Sequence, residues 1–130
     1  MTGGIYIVTL NNEELISTQA HDRRFDSKNP LKVNRTNRKF GKADDFNGRE
    51  RQGYCRTFGE RNVNFIPIAS VKRIDLKQAE DAVKNALSHW RLRSPANRLT
   101  EWTSGISEKE MIQEILSVLK QLDIEHKPLK

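Results

Sequence analysis

The sequence predicts a small α+β domain, and three observations carry that prediction. The 130 residues suit one hydrophobic core, the usual solution up to roughly 150 residues. Three short extended segments lie within the first 74 residues. Two later segments carry apolar residues at helical spacing, each opened by a capping signal. Strands with helices laid on them make an α+β arrangement.

The elements follow in order. Gly4-Ile5-Tyr6-Ile7-Val8-Thr9-Leu10 is an unbroken β-branched and aromatic run, the mark of a buried strand. Residues 19–37 are polar and basic around Asn29-Pro30 and read as a long loop. Loops of that length are uncommon in compact domains unless they have a task. Lys39–Ala43 forms a second short strand that runs into Asp44, a helix N-cap. The helix it opens carries Phe46, Arg49 and, at its far end, Tyr54; Gly48 weakens it and Gly53 ends it. Val63–Ile74 is the third extended segment, with Pro67 forcing an edge position or a bulge. Asp75 and Gln78 make a capping-box pair ahead of Ala79, Ala82, Val83, Ala86, Leu87 and Trp90, which share one helical face. Ser107 and Glu110 cap a last helix over 107–122, striped by Met111, Ile112, Ile115, Leu119 and Leu122. The tail Glu125–Lys130 reads as frayed. The expectation is one domain over 1–130, with a basic insertion at 21–38 and the C-terminal helix at 107–122.

Apolar residues are 35% of the chain, enough for a modest core and against wholesale disorder. No apolar run approaches the ~20 residues of a membrane span, and no charged-then-apolar leader opens the chain. A membrane or secreted protein is disfavoured and a cytoplasmic setting expected. The one cysteine, Cys55, excludes an internal disulfide and a cysteine-rich zinc site; it is expected to be buried and inert. The net charge is +6, and its spread matters more than its total. Arg23, Arg24, Lys28, Lys32, Arg35, Arg38 and Lys39 fall within seventeen residues that hold a single acid, Asp26. Such a block is the electrostatic footprint of a polyanion partner. Its plain alternative is a solvated, positively charged loop.

Gly4-Ile5-Tyr6, Lys39-Phe40-Gly41-Lys42-Ala43, Arg49 and Glu80 occur in that order, with Arg49 eight residues after Gly41. Taken singly, each has a plain reading: Tyr6 a core aromatic, Arg49 a solvated helix residue, Glu80 a surface carboxylate. Together they resemble the GIY-YIG nuclease superfamily, over roughly residues 4–102. The first triplet matches half of the family's name, and Lys39-Phe40-Gly41 stands where Tyr-Ile-Gly is usual. The run Gly-Lys-Ala-x-x-Phe-x-x-Arg reproduces the family's spacing to its catalytic arginine. A phage-rich branch of the superfamily tolerates lysine in place of the second-motif tyrosine. That branch follows the glutamate helix with a Glu-Trp pair, as Glu101-Trp102 stands here.

The resemblance implies a small three-stranded antiparallel sheet flanked by helices, and a divalent-metal-dependent DNA endonuclease that hydrolyses phosphodiester bonds. It implies Mg²⁺ or Mn²⁺ held by Glu80, Arg49 stabilising the charged phosphate, and Tyr6 activating water as base or relay. Lys42 would lower the Tyr6 pKa or bind phosphate. The residue types suit these tasks. A carboxylate suits a hard cation, and a guanidinium presents a planar fork to phosphate oxygens. A phenol that normally titrates near ~10 needs nearby cations to ionise. Tyr54 follows Arg49 by five residues, where the family often has a His or Tyr about four on. A one-residue slip would bring it to the site; without one it is a core aromatic. His89 reads as a surface residue, Asn97 resembles the family's late asparagine, and Glu101 and Trp102 read as a salt bridge and a core plug.

The loop bearing Arg23, Arg24, Lys28, Lys32, Arg35, Arg38 and Lys39 reads as an arm gripping the backbone of double-stranded DNA. Phosphate contacts of that kind give affinity without telling sequences apart. The C-terminal helix packs on the core or makes a homodimer contact. Two further readings stay open: a catalytically impaired nucleic-acid-binding domain on the same scaffold, and a small basic adaptor whose helix docks a protein partner.

Overall fold

The computed structural model describes residues 2–18 and 31–130, so Arg23, Arg24 and Lys28 lie outside the described residues. The strands are β1 (Gly4–Leu10), β2 (Ile16–Ser17), β3 (Lys32–Val33), β4 (Asn37–Ala43), β5 (Val63–Val71), β6 (Arg91–Arg93), β7 (Leu99–Ser104) and β8 (His126–Pro128). Six of them form one antiparallel sheet in the order β6-β7-β4-β1-β5-β8, while β2 and β3 pair as a separate ribbon. The α+β class stands, but the expected small three-stranded sheet is corrected: β4, β1 and β5 are only the middle of a wider one. The flanking strands are short and largely polar. Backbone pairing holds them in place, with little apolar alternation to announce them. β8 likewise overturns the frayed tail, because His126, Lys127 and Pro128 pair with Val71, Ser70 and Ala69.

Central position explains the sequence of β1. Paired on both edges, it is buried on both faces, sending Ile5 and Ile7 one way and Tyr6 and Val8 the other. On the first face lie α3 (Leu76–Ala86) and α4 (Glu108–Gln121), whose Ala79, Val83, Met111, Ile115 and Leu119 pack with Ile5, Ile7, Phe40 and Ile68. On the second face Tyr6 and Val8 cluster with Val33, Phe46, Tyr54 and Trp102, so Trp102 is the core plug expected. Opposite β5 the register jumps between Ile5, facing Ala69, and Tyr6, facing Pro67. Ile68 is therefore the extra residue of a β-bulge beside the proline.

Helix ends differ from expectation by small, explicable amounts. Asp45, not Asp44, is the N-cap of α1 (Phe46–Arg49), its carboxylate accepting from the Asn47 amide at 3.2 Å. Gly53 does not stop this helix. The chain continues through a π-helical turn, Glu50–Tyr54, into α2 (Cys55–Phe58), and ends at Gly59, whose φ of 91° glycine adopts freely. Asp75 lies in a 3₁₀ turn and makes no side-chain cap to α3. Ser107 and Glu110 form the complete capping box of α4, as their spacing predicts, although Leu122 at its end is exposed. Among the described residues, no helix is long and apolar enough to cross a membrane.

Candidate active site

The site grows from the pairing of β1 with β4, which sets Tyr6 opposite Gly41. The Tyr6 ring lies across the Gly41 backbone: a Cβ on residue 41 would collide with the phenol oxygen and stand 2.6 Å from Cζ. Glycine is required there by the tyrosine. Phe65 of β5 stacks on the Tyr6 ring at 4.6 Å between centroids. The Tyr6 hydroxyl meets the Tyr54 hydroxyl at 2.6 Å in a buried hydrogen bond.

Tyr54 arrives by way of the π turn. Five residues along an α-helix rotate a side chain about 140° away from its starting face. Here the Cys55 amide bonds back to the Glu50 carbonyl, an i→i+5 closure that takes up the additional residue. Tyr54 thus remains on the face where a residue four after Arg49 would lie, which is the one-residue slip the spacing calls for. Arg49 is exposed at the start of that turn, and its charge acts on both phenols.

Burial pushes both phenols above the ordinary tyrosine range. Lys39 and Arg49 offset part of this at Tyr6. At Tyr6 loss of hydration outweighs the cations that the chain itself supplies, so the hydroxyl holds its proton in the resting protein.

Lys39 of β4 lies over both phenol rings. Its ammonium lies 5.2 Å from the Tyr54 ring centre and 5.9 Å from that of Tyr6. It also donates to Glu101 Oε2 at 2.9 Å. Pairing between β4 and β7 ends at Lys39–Trp102, and Glu101 sits one residue past that end. There it meets cations from both sides of the sheet: Lys39 from the tyrosine face, and the Lys84 ammonium of α3 at 3.7 Å. Burial alone would raise the Glu101 pKa, yet Lys39, with Lys84 and Arg91, holds it below the usual carboxylate range. Lys84 also stands 3.3 Å from Glu80 Oε1, and Lys42 approaches the same oxygen at 3.8 Å. The result is a ladder of alternating charge, Lys39–Glu101–Lys84–Glu80–Lys42, beside two proton-holding phenols.

Tyr6, Tyr54 and Lys39 thus meet directly, Arg49 and Glu80 act on Tyr54 through their charges, and Lys42 joins only by way of Glu80. Two neighbours lay outside the expected site, Lys84 and Glu101. For Lys84 the available signal was its position four residues after Glu80; for Glu101 it was the Glu-Trp pair. Of the basic segment, Arg35 pairs with Glu13 at an exposed position and Lys32 is exposed on β3. Arg38 turns inward instead, donating to the Ile106 carbonyl at 3.0 Å. His89 is exposed as expected. Asn97 sits in the Ser94–Arg98 turn with φ of 62°, a conformation asparagine tolerates better than most residues. Cys55 is half-buried, not fully buried, and desolvation followed by Glu50 and Glu60 pushes its thiol up.

Among the described residues no three His, Cys, Asp or Glu side chains cluster as a metal cage. Glu80 offers a single carboxylate, which fits a hard cation that retains most of its water. Comparisons of the chain with protein-family models, curated proteins and solved structures find no match.

Proposed function

We propose that this chain is a divalent-metal-dependent DNA endonuclease that hydrolyses phosphodiester bonds. The observation that carries the proposal is the Tyr54 hydroxyl: bonded to Tyr6, it lies within the fields of Arg49, Glu80 and Glu101, groups contributed by separate elements. A buried phenol pair in the fields of charges drawn from separate elements is the kind of arrangement that supports a reaction site.

In this reading Glu80 holds Mg²⁺ or Mn²⁺, which when bound neutralises charge building on the scissile phosphate. Arg49 aims its guanidinium donors at the non-bridging oxygens, where charge grows in the transition state. Lys42 adds a second positive charge beside Glu80. Tyr6, protonated at rest, positions the attacking water, its hydroxyl held in place by the bond to Tyr54. Duplex DNA is the substrate, with Lys32 and Arg35 as backbone contacts alongside Arg23, Arg24 and Lys28.

A second reading, a catalytically impaired nucleic-acid-binding domain, draws on one observation: both phenols are buried and hold their protons firmly. Supercoiled plasmid separates the two. The nuclease reading expects nicking with Mg²⁺, none with EDTA, and none from Glu80→Gln, which should still shift DNA in a gel. Binding without metal-dependent nicking would favour the second reading, and neither binding nor nicking would defeat both.

A further inference from the structure

Helix α3 carries two lysine–carboxylate pairs at i,i+4 spacing, and they differ in kind. Lys77 and Asp81 meet at 3.3 Å with side chains 81% and 58% exposed, an ordinary solvent pair of little consequence. Glu80 and Lys84 meet at the same 3.3 Å, but with side chains 12% and 34% exposed, against the sheet. Lys84 is further held from a second element, because Glu101 Oε1 of β7 lies 3.7 Å from the same ammonium. Two carboxylates from separate elements therefore converge on one monovalent cation tethered to the helix. Lys42 also approaches Glu80 Oε1, at 3.8 Å, so Lys84 at 3.3 Å is the nearer and less exposed of the two chain cations there.

We infer that Lys84 is the resident counter-ion of Glu80, which a divalent cation must displace to bind. The inference rests on the nuclease reading for the identity of Glu80 as the metal ligand. Physically, an ammonium 3.3 Å from the ligand oxygen repels an incoming dication and satisfies the carboxylate in its place. The DNA-free protein therefore binds the ion weakly. A phosphate entering the site gives Lys84 and Lys42 a new anionic partner and frees Glu80, so ion and DNA favour each other's binding, each by the same factor.

Mn²⁺ alone, titrated calorimetrically into the DNA-free full chain, tests this without reference to activity. Lys84→Met should bind Mn²⁺ about tenfold tighter than wild type or better, because a repelling charge is gone. Lys77→Met, removing the same charge from the solvent side of the same helix, should match wild type. Adding Glu80→Gln to Lys84→Met should erase the gain. Equal or weaker binding by Lys84→Met, an equal gain from Lys77→Met, or a gain that survives Glu80→Gln would each overturn the inference. Plasmid nicking judges the nuclease reading separately. Metal-dependent nicking with no Lys84 effect on Mn²⁺ would remove the inference alone, and the expected Mn²⁺ pattern without nicking would remove the nuclease reading alone.

Discussion

The hydroxyls of Tyr6 and Tyr54 share a 2.6 Å hydrogen bond across forty-eight residues of sequence. Each is buried, and each is the other's hydrogen-bond partner, so the bond ties the central strand to the helix that carries Arg49.

Removing one hydroxyl strands the other. Tyr54→Phe or Tyr6→Phe alone should cost ~1–3 kcal/mol of stability, the penalty of an unsatisfied buried polar group. The double variant Tyr6→Phe/Tyr54→Phe should cost less than the sum, since no orphan remains. Urea unfolding of the four proteins measures the coupling, and strict additivity would mean the bond contributes nothing.

Gly41→Ala should destabilise by ~1–3 kcal/mol, as overpacking against a fixed ring does. The penalty should shrink when Tyr6 is shortened to Ala, which empties the space the new methyl needs. Thermal melts of the two single variants and the double variant decide this. A Gly41→Ala penalty that persists without the Tyr6 ring would place the constraint elsewhere.

Arg49→Ala should leave the fold intact, because the side chain is exposed. It should lower plasmid nicking by ~10²–10³, the loss expected for one pre-aimed donor at the transition state. Single-turnover rates at saturating DNA give the number. A change confined to DNA affinity would demote Arg49 to a binding residue.

Glu101 links stability to acid pH. Its folded-state pKa lies below the unfolded value, so its contribution is fully present above the ordinary carboxylate range and fades as pH falls through the folded pKa. Wild type should therefore lose stability between pH ~5 and more acid conditions faster than Glu101→Gln. Parallel stability curves for the two proteins would show that the Lys39–Glu101 pair carries no such linkage.

Neutralising three of Arg23, Arg24, Lys28, Lys32 and Arg35 should weaken DNA binding on every sequence. It should flatten the slope of log K against log salt by about 2–3 units, through counterions no longer released. Nicking at saturating DNA and low salt should hold steady. An unchanged slope would make the block a solvated insertion.

Legibility in the sequence followed the kind of force at work. β1 and α4 were readable because a continuous apolar run or a capping box is written locally, in Ile5 through Val8 and in Ser107 with Glu110. β6, β7 and β8 were not, because backbone pairing at a sheet flank asks little of Arg91, Leu92 and Arg93 or of His126 and Lys127. The turn at Glu50–Tyr54 showed only as the five-residue spacing of Arg49 and Tyr54: Gly53 reads as a stop, and closure from Cys55 to Glu50 reveals that the helix runs on. At the site, the family resemblance in motif order and spacing singled out Tyr6, Lys42, Arg49 and Glu80. The tie between Lys39 and Glu101 spans sixty-two residues and depends on where β4 and β7 part, which no local pattern records.

The π turn has a consequence for chain length. Deleting Gly53 would leave Arg49 and Tyr54 four apart, a spacing that a plain α-helix aligns without help. An inserted residue would instead carry Tyr54 about a further 100° around the helix, off the phenol of Tyr6. The segment is therefore a one-way gauge, permitting the loss of a residue between arginine and tyrosine and refusing the gain of one.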